Sequence, residues 1–363
     1  MLSHENVSMT YEFPTLADYG WNSFFAGQLA EGEQETVIPA KVIEVHRGQI
    51  RVVGVGTDRQ LAPFKAVLAE GEDQTISTVG DWLLLDANTN QPVRMLRRKS
   101  LIERRAPGSD RKMQLIAANI DTLFIVTSCN KDFNAARLER YLVLASDAGV
   151  EPVLVLTKAD LVDSPSKYAA EAAALLPGLL VEMLDARVED SAARLADWCG
   201  PGQTVALVGS SGVGKSTLAN SLMGNAKIKT QGIREDDAKG RHTTTGRTFY
   251  RLPAGGWLLD TPGIRGLEVT EAAAGLEDVF ADITELAATC KFSDCAHETE
   301  PGCKVQAAIQ GGTLESERFK RWQKLAAEEA VSTQTIAQRH SKDRAFGKQI
   351  KASLKHKKRY RGE

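Results

Sequence analysis

The chain has 363 residues, 42% of them hydrophobic and 25% charged, with 45 Lys and Arg against 47 Asp and Glu for a net charge of −2. That balance belongs to a soluble globular protein of roughly two to three domains and excludes disorder throughout. No run of about 18 apolar residues is present, so no membrane-spanning helix is expected. Met1 to Ala40 contains no Lys or Arg, which argues against an ordinary signal peptide. Five Cys in so long a chain do not make a disulfide framework, and a reducing cytoplasm is the expected compartment.

The first 36 residues form an acidic extension carrying Glu5, Glu12, Asp18, Glu31, Glu33 and Glu35. Residues 37–110 read as β structure. Val37 to Val45 alternates loosely, Gln49 to Val55 follows the turn Arg47-Gly48, and Asp81 to Leu85 and Val93 to Leu96 add two short runs. Short strands separated by Gly and Asn turns suggest a small barrel, here expected to be OB-like. This segment runs into a basic cluster: Arg94, Arg97, Arg98, Lys99, Arg104, Arg105, Arg111 and Lys112. Arg339 to Arg361 adds ten bases against one acid. Such clusters attract phosphate backbones, and RNA is the expected polyanion because no apolar helix face accompanies the bases for membrane binding.

Residues 111–270 alternate β and α. Thr122 to Thr127 is a buried strand, Ala135 to Ala148 is a helix with Leu138, Tyr141, Leu142 and Ala145 on one face, and Val153 to Leu156, Val205 to Val208 and Trp257 to Leu259 are further strands. Apolar strands alternating with helices make a parallel sheet covered on both faces.

At the end of the third of these elements stands Thr157-Lys158-Ala159-Asp160. A carboxylate at Asp160 can accept from both donors on the guanine edge, with the Lys158 stem over the base. Further on, Gly209-Ser210-Ser211-Gly212-Val213-Gly214-Lys215-Ser216-Thr217 matches G-x-x-x-x-G-K-[ST] between a strand and a helix. Its glycines let backbone N–H groups converge on phosphate oxygens, Lys215 reaches the β- and γ-phosphates, and the Ser216 hydroxyl binds Mg²⁺. Gly240 to Gly246 contains three consecutive Thr, of which Thr244 is the expected Mg²⁺-shell residue. Asp260-Thr-Pro-Gly263 follows a buried strand, with Asp260 on the Mg²⁺ side and the Gly263 N–H toward the γ-phosphate. Ile264 stands where switch GTPases place a water-orienting Gln, so intrinsic hydrolysis is expected to be weak. His242 is the nearest replacement candidate.

Residues 271–335 are different. Cys290, Cys295, His297 and Cys303 supply three thiols and one imidazole within 14 residues, a tetrahedral Cys₃His set for one structural Zn²⁺. Cys129 and Cys199 are isolated and read as core residues. Residues 336–363 are the basic tail.

The base reader thus precedes the phosphate loop, whereas in ordinary GTPases it comes last. This order is a circular permutation, tolerated when new termini fall in surface loops. The permuted order, GSSGVGKST, GRHTTT, DTPG, the leading β segment and the trailing Cys/His cluster together resemble the ribosome small-subunit-dependent GTPase A family (RsgA/YjeQ), from about Val37 to Lys324. The resemblance implies a GTPase that acts late in small (30S) ribosomal subunit maturation and is stimulated by that subunit. It also implies nucleotide contacts at Thr157 to Asp160 and Gly209 to Thr217, and it points to His242. The second base-side segment of that family usually reads Ser-Ala, but here the equivalent is Leu184-Asp185-Ala186.

The expected architecture is therefore multidomain α/β, with an OB-like β-barrel, a circularly permuted P-loop GTPase domain and a helical zinc-binding domain. The expected partners are GTP/GDP with Mg²⁺ and the 30S subunit with its rRNA, and the expected state is a monomer away from membranes. Two other readings remain open on sequence grounds: another RNA-binding P-loop NTPase with an incidental TKAD, and a non-catalytic RNA-binding protein. Lys215, Ser216 and Asp260 argue against the second.

Overall fold

The structure is a computed structural model that describes residues 14–67, 74–105, 113–185, 193–224, 246–260 and 273–330. These residues fall into two compact units, one within Met1–Tyr141 and Ala148–Leu267, the other within Leu142–Asp147 and Glu268–Glu363.

The first unit opens with an aromatic hook. Asn22 caps the short helix α1 (Ser23–Ala26), its side chain accepting from the Phe24 N–H. Trp21 meets Trp82 edge to face at 4.9 Å and Phe25 is almost fully buried beside it. The antiparallel strands β1 (Val37–His46), β2 (Gln49–Gly54) and β3 (Thr57–Leu61) follow, then the small ladder β4 (Lys65–Ala66) with β5 (Thr75–Ile76), then β6 (Trp82–Asp86) and β7 (Pro92–Met95). Alternate inward residues Ala40, Val42, Ile50, Val52, Leu83, Leu85 and Met95 form one apolar core. The pairing order is β3-β2-β1-β6-β7, and among the described residues no ladder joins β3 to β7. What the structure establishes is therefore an antiparallel β module with its own core.

The predicted basic cluster is less free than its sequence suggests. Arg98 grips the fully buried Asp81 at 2.8 Å, Arg94 pairs with Glu33, and Lys99 pairs with Asp121. Among the described residues, Arg94, Arg98 and Lys99 of this cluster thus serve internal ion pairs.

A hairpin of β8 (Leu101–Arg105) and β9 (Met113–Ala118) leads into the α/β half. Its elements are β10 (Thr122–Ser128), α2 (Ala135–Asp147), β11 (Glu151–Thr157), α3 (Pro165–Ala173), β12 (Leu180–Met183), β13 (Thr204–Val208), α4 (Lys215–Met223), β14 (Arg247–Arg251) and β15 (Trp257–Asp260). The sheet order is β12-β11-β10-β13-β15-β14, parallel except for β14. All seven residues of β10 are buried, as a central parallel strand requires. β14 pairs onward with β1, so the β module and the parallel sheet share one continuous ladder.

Lys41 sits near this junction with only 1% of its surface exposed. Its ammonium donates to the Tyr19 carbonyl and the Thr204 hydroxyl, both at 2.9 Å, and lies over the Phe249 and Trp257 rings. Burial lowers its pKa to about 8 despite the nearby Asp121.

The second unit is helical: α5 (Ala273–Val279), α6 (Ala281–Ala288), α7 (Lys304–Gln310) and α8 (316–330). Leu142–Asp147, the end of α2, packs with it, and the Ser146 hydroxyl donates to Asp278. A Cβ on Gly275 would lie 2.2 Å from the Val143 carbonyl, so that helix contact requires glycine. Arg318 forks onto Asp282 at 2.8 and 2.9 Å and stacks 4.8 Å from the Phe280 ring centre.

Candidate nucleotide site and metal centre

The parallel strands β10, β11, β13 and β15 end at the same edge of the sheet. From β10 the chain winds outward through β11 and β12. It then returns to β13 and winds the other way. The crevice beside β10 and β13 is therefore the topological switch point, where α/β sheets bind ligands.

The phosphate loop starts there. Gly209 has φ +138°, and a Cβ on it would lie 2.1 Å from the Val126 carbonyl of β10. Gly212 and Gly214 also have positive φ, at +78° and +100°. No other residue type adopts these angles so readily, and together they curl the backbone toward the N-terminus of α4. Val213 is buried beneath the loop, while Ser216 and Thr217 face outward from the first turn of α4. The Lys215 ammonium lies inside the loop, donating to the Gly209 carbonyl at 2.8 Å and to the Ser210 carbonyl.

The TKAD turn closes over the same loop. The buried Thr157 hydroxyl donates to the Val213 carbonyl at 2.6 Å, and Lys158 Nζ donates to the Gly212 carbonyl at 2.7 Å. Lys158 itself has φ +57°, an unfavourable angle for a lysine and a form of strain concentrated at functional sites. Ala159 and Asp160 form the following helical turn, with Asp160 exposed. The structure thus brings Thr157–Asp160 and Gly209–Thr217 together although they lie about 50 residues apart in the chain.

Asp260 ends β15, paired with Thr248 of β14. His242, Thr244 and Gly263 lie outside the described residues, as do Ile264, Ala186 and the basic tail. Cys129 and Cys199 are buried in the core, and burial pushes the Cys199 thiol up to about 12.

Sequence reasoning missed the group that supports the phosphate loop from behind. Arg137, in the first turn of α2, contacts both Asp132 and the Ser210 hydroxyl. The available signal was Asn134, a capping residue followed three residues later by Arg137, at the start of the helix that succeeds a buried strand.

In the second unit, the ligand atoms of Cys290, Cys295, His297 and Cys303 all lie within 4.8 Å of one another. His297 Nδ1 is 3.5 Å from both the Cys290 and Cys303 sulfurs, which are 3.9 Å apart. The Lys304 N–H donates to the Cys290 sulfur at 3.3 Å and the Gln306 N–H to the Cys303 sulfur at 3.4 Å, so the start of α7 aims two backbone donors at the cluster. Desolvation raises the Cys290 thiol, yet the Lys304 and Val305 N–H groups hold it below the ordinary thiol range. Desolvation and the neighbouring sulfurs push Cys295 up to about 11. Gln306 Nε2 donates to the His297 carbonyl at 2.7 Å and supports that residue at φ +59°. The cluster has the composition and the dimensions of a closed structural metal site.

Comparison with known proteins agrees with this geometry. The RsgA GTPase family model matches residues 95–270. Small ribosomal subunit biogenesis GTPase RsgA of Mesorhizobium japonicum is 50% identical over 331 residues, covering 90% of this chain and 93% of that protein. RsgA 2 of Vibrio parahaemolyticus is 47% identical, covering 92% and 91%. The crystal structure of YloQ, described as a circularly permuted GTPase, superposes with a TM-score of 0.56 at 23% identity, covering 83% of this chain and 97% of that one. The chain belongs to the RsgA family of small ribosomal subunit biogenesis GTPases, and it is a circularly permuted, GTP-hydrolysing enzyme of that process.

Proposed function

We propose that the protein binds GTP·Mg²⁺ between the TKAD turn and the phosphate loop, engages the 30S subunit through its rRNA, and hydrolyses GTP under stimulation by that subunit. The observation that carries the reading is the pair of contacts from Thr157 and Lys158 to the carbonyls of Val213 and Gly212. They support reading the turn and the loop as one site, a base reader beside a phosphate cradle. Asp160 accepts from guanine, Lys215 and the N–H groups of Gly209 to Thr217 stabilise phosphoryl charge, and Ser216 and Asp260 hold Mg²⁺, with Thr244 completing its shell. Gly263 senses the γ-phosphate and His242 positions water. Mg²⁺ supplies further charge neutralisation when bound.

The Cys₃His cluster holds one structural Zn²⁺. A tetrahedral zinc with the usual bond lengths has edges of about 3.8 Å between sulfurs and about 3.6 Å from nitrogen to sulfur. The observed 3.9 and 3.5 Å support that assignment. In this reading residues 37–110 are an OB-like barrel, 111–270 the GTPase domain, 271–335 the zinc domain and 336–363 a basic arm. The names of the relatives support the 30S partner, and the exposed Arg97 together with the basic composition of the C-terminal tail suits rRNA. The setting is the cytoplasm and the free protein is a monomer; no helix among the described residues is long and apolar enough to cross a membrane.

Co-sedimentation with purified ribosomal subunits tests the partner. Binding to small but not large subunits, strengthened by a non-hydrolysable GTP analogue, is expected. Equal retention on both subunits, or on neither, overturns it.

A further inference from the structure

We propose that Arg137 is a positioning residue for the phosphate loop, acting across the switch point from the first turn of α2. The proposal deepens the nucleotide-site reading and rests on it.

A chain of contacts runs from the end of β10 to the loop. The Ser128 hydroxyl donates to Asn130 Oδ1 at 2.9 Å, and that same oxygen accepts the Asp132 N–H at 2.9 Å. The turn thereby aims the Asp132 carboxylate at Arg137, whose Nη1 donates to Asp132 Oδ1 at 2.9 Å. Asn134 Oδ1 accepts the Arg137 N–H at 3.0 Å, fixing the start of the helix that carries the guanidinium. Arg137 Nη1 also contacts the Ser210 hydroxyl. Ser210 is the second residue of the phosphate loop, and its carbonyl accepts from Lys215.

A phosphate cradle works by holding several N–H groups in a fixed concave array. Ordering that array before the ligand arrives lowers the cost of binding. Glycines make the array possible but leave it mobile. A guanidinium whose Nη1 is shared between the Asp132 carboxylate and the Ser210 hydroxyl restrains the segment between Gly209 and Gly212. The support comes from β10 and α2, the elements that the permutation places ahead of the loop in the chain. Arg137 acts on the phosphates only through Ser210.

The test is a double-mutant cycle on the full-length, metal-loaded protein, read by titration with a fluorescent GTP analogue and with GDP. Arg137→Ala and Ser210→Ala are each expected to weaken both nucleotides by about three- to tenfold. The double variant is expected to be no weaker than the worse single variant, because both remove the same contact. Arg137→Lys, which keeps a cationic donor on a shorter side chain without the planar head, should recover part of the loss, and Lys131→Ala, an exposed cation in the same turn, should leave affinity unchanged. Additive losses in the double variant, or wild-type affinity in Arg137→Ala, would overturn the proposal, as would an equal loss in Lys131→Ala. Failure of the underlying site reading looks different: wild-type protein would not bind GTP at all, or Lys215→Ala would bind it as well.

Discussion

Lys158 Nζ donates to the Gly212 carbonyl at 2.7 Å, joining the turn that ends β11 to the phosphate loop that follows β13. The residue before it, Thr157, makes the parallel contact to Val213. Chain order is therefore irrelevant to the assembled site. A turn that comes early in the sequence occupies the place that spatial order demands, because the strands carrying both segments flank β10 in one sheet.

The proposed base reader makes a prediction about base selection. Asp160→Ala removes the only acceptor proposed for the guanine donors and should weaken GTP about 100-fold, with no gain for ATP. Lys158→Ala should cost about tenfold by loosening both the base cover and the Gly212 contact. Competition titrations with GTP and ATP measure both, and equal wild-type affinity for the two nucleotides would refute the assignment.

Gly209 is the tightest point of the loop. Gly209→Ala places a methyl group 2.1 Å from the Val126 carbonyl at φ +138°, a clash of the new side chain against backbone that cannot swing away. A destabilisation of about 3 kcal/mol or more, together with loss of nucleotide binding, is expected from thermal or urea unfolding.

The elements that the sequence revealed are those with buried, regular patterns. β10, β11, β13 and β15 are apolar runs between helices, and β1, β2, β6 and β7 carry the inward residues of the β-module core. The strands it concealed are polar, exposed or short. Thr57–Leu61 reads Thr-Asp-Arg-Gln-Leu at a sheet edge, Leu180–Met183 is half exposed, and Arg247–Arg251 has only Phe249 buried. Thr157–Asp160 and Gly209–Thr217, which the fold brings together, and the Cys/His cluster were legible because each is a compact run of characteristic residues. Arg98 and Arg94 looked like an RNA-facing cluster because a charge pattern does not show its partners; Asp81 and Glu33 are distant in sequence and meet them only in the fold. The docking of Trp21 and Phe25 on Trp82 was invisible for the same reason.

The metal cluster should behave as part of the fold of the second unit. Removing the ion with a strong chelator, or Cys303→Ser, should melt the helices around it while leaving nucleotide binding by the first unit measurable. Helical circular dichroism and metal content after dialysis report this. A fully chelated protein with unchanged melting would contradict a structural metal.

Lys41 gives the stability a pH dependence of known sign. Its folded pKa is about 8 and the ordinary value is 10.5, so between those values the unfolded chain holds the proton that the folded protein has released. The contribution of Lys41 to stability therefore rises with pH through that window, and is lowest and constant below it, where both states are protonated. Lys41→Met removes the titration. The difference in melting temperature, wild type minus variant, should grow from pH 7.5 to 10; a flat difference would show that Lys41 titrates normally.

The most direct test is GTP hydrolysis by the zinc-loaded protein alone, with purified small subunits and with purified large subunits, using Lys215→Ala as the control. Slow basal turnover, accelerated by small subunits only and abolished in Lys215→Ala, is the expected result. Rapid turnover without any subunit, or equal acceleration by both, would contradict the account of a site completed by its ribosomal partner.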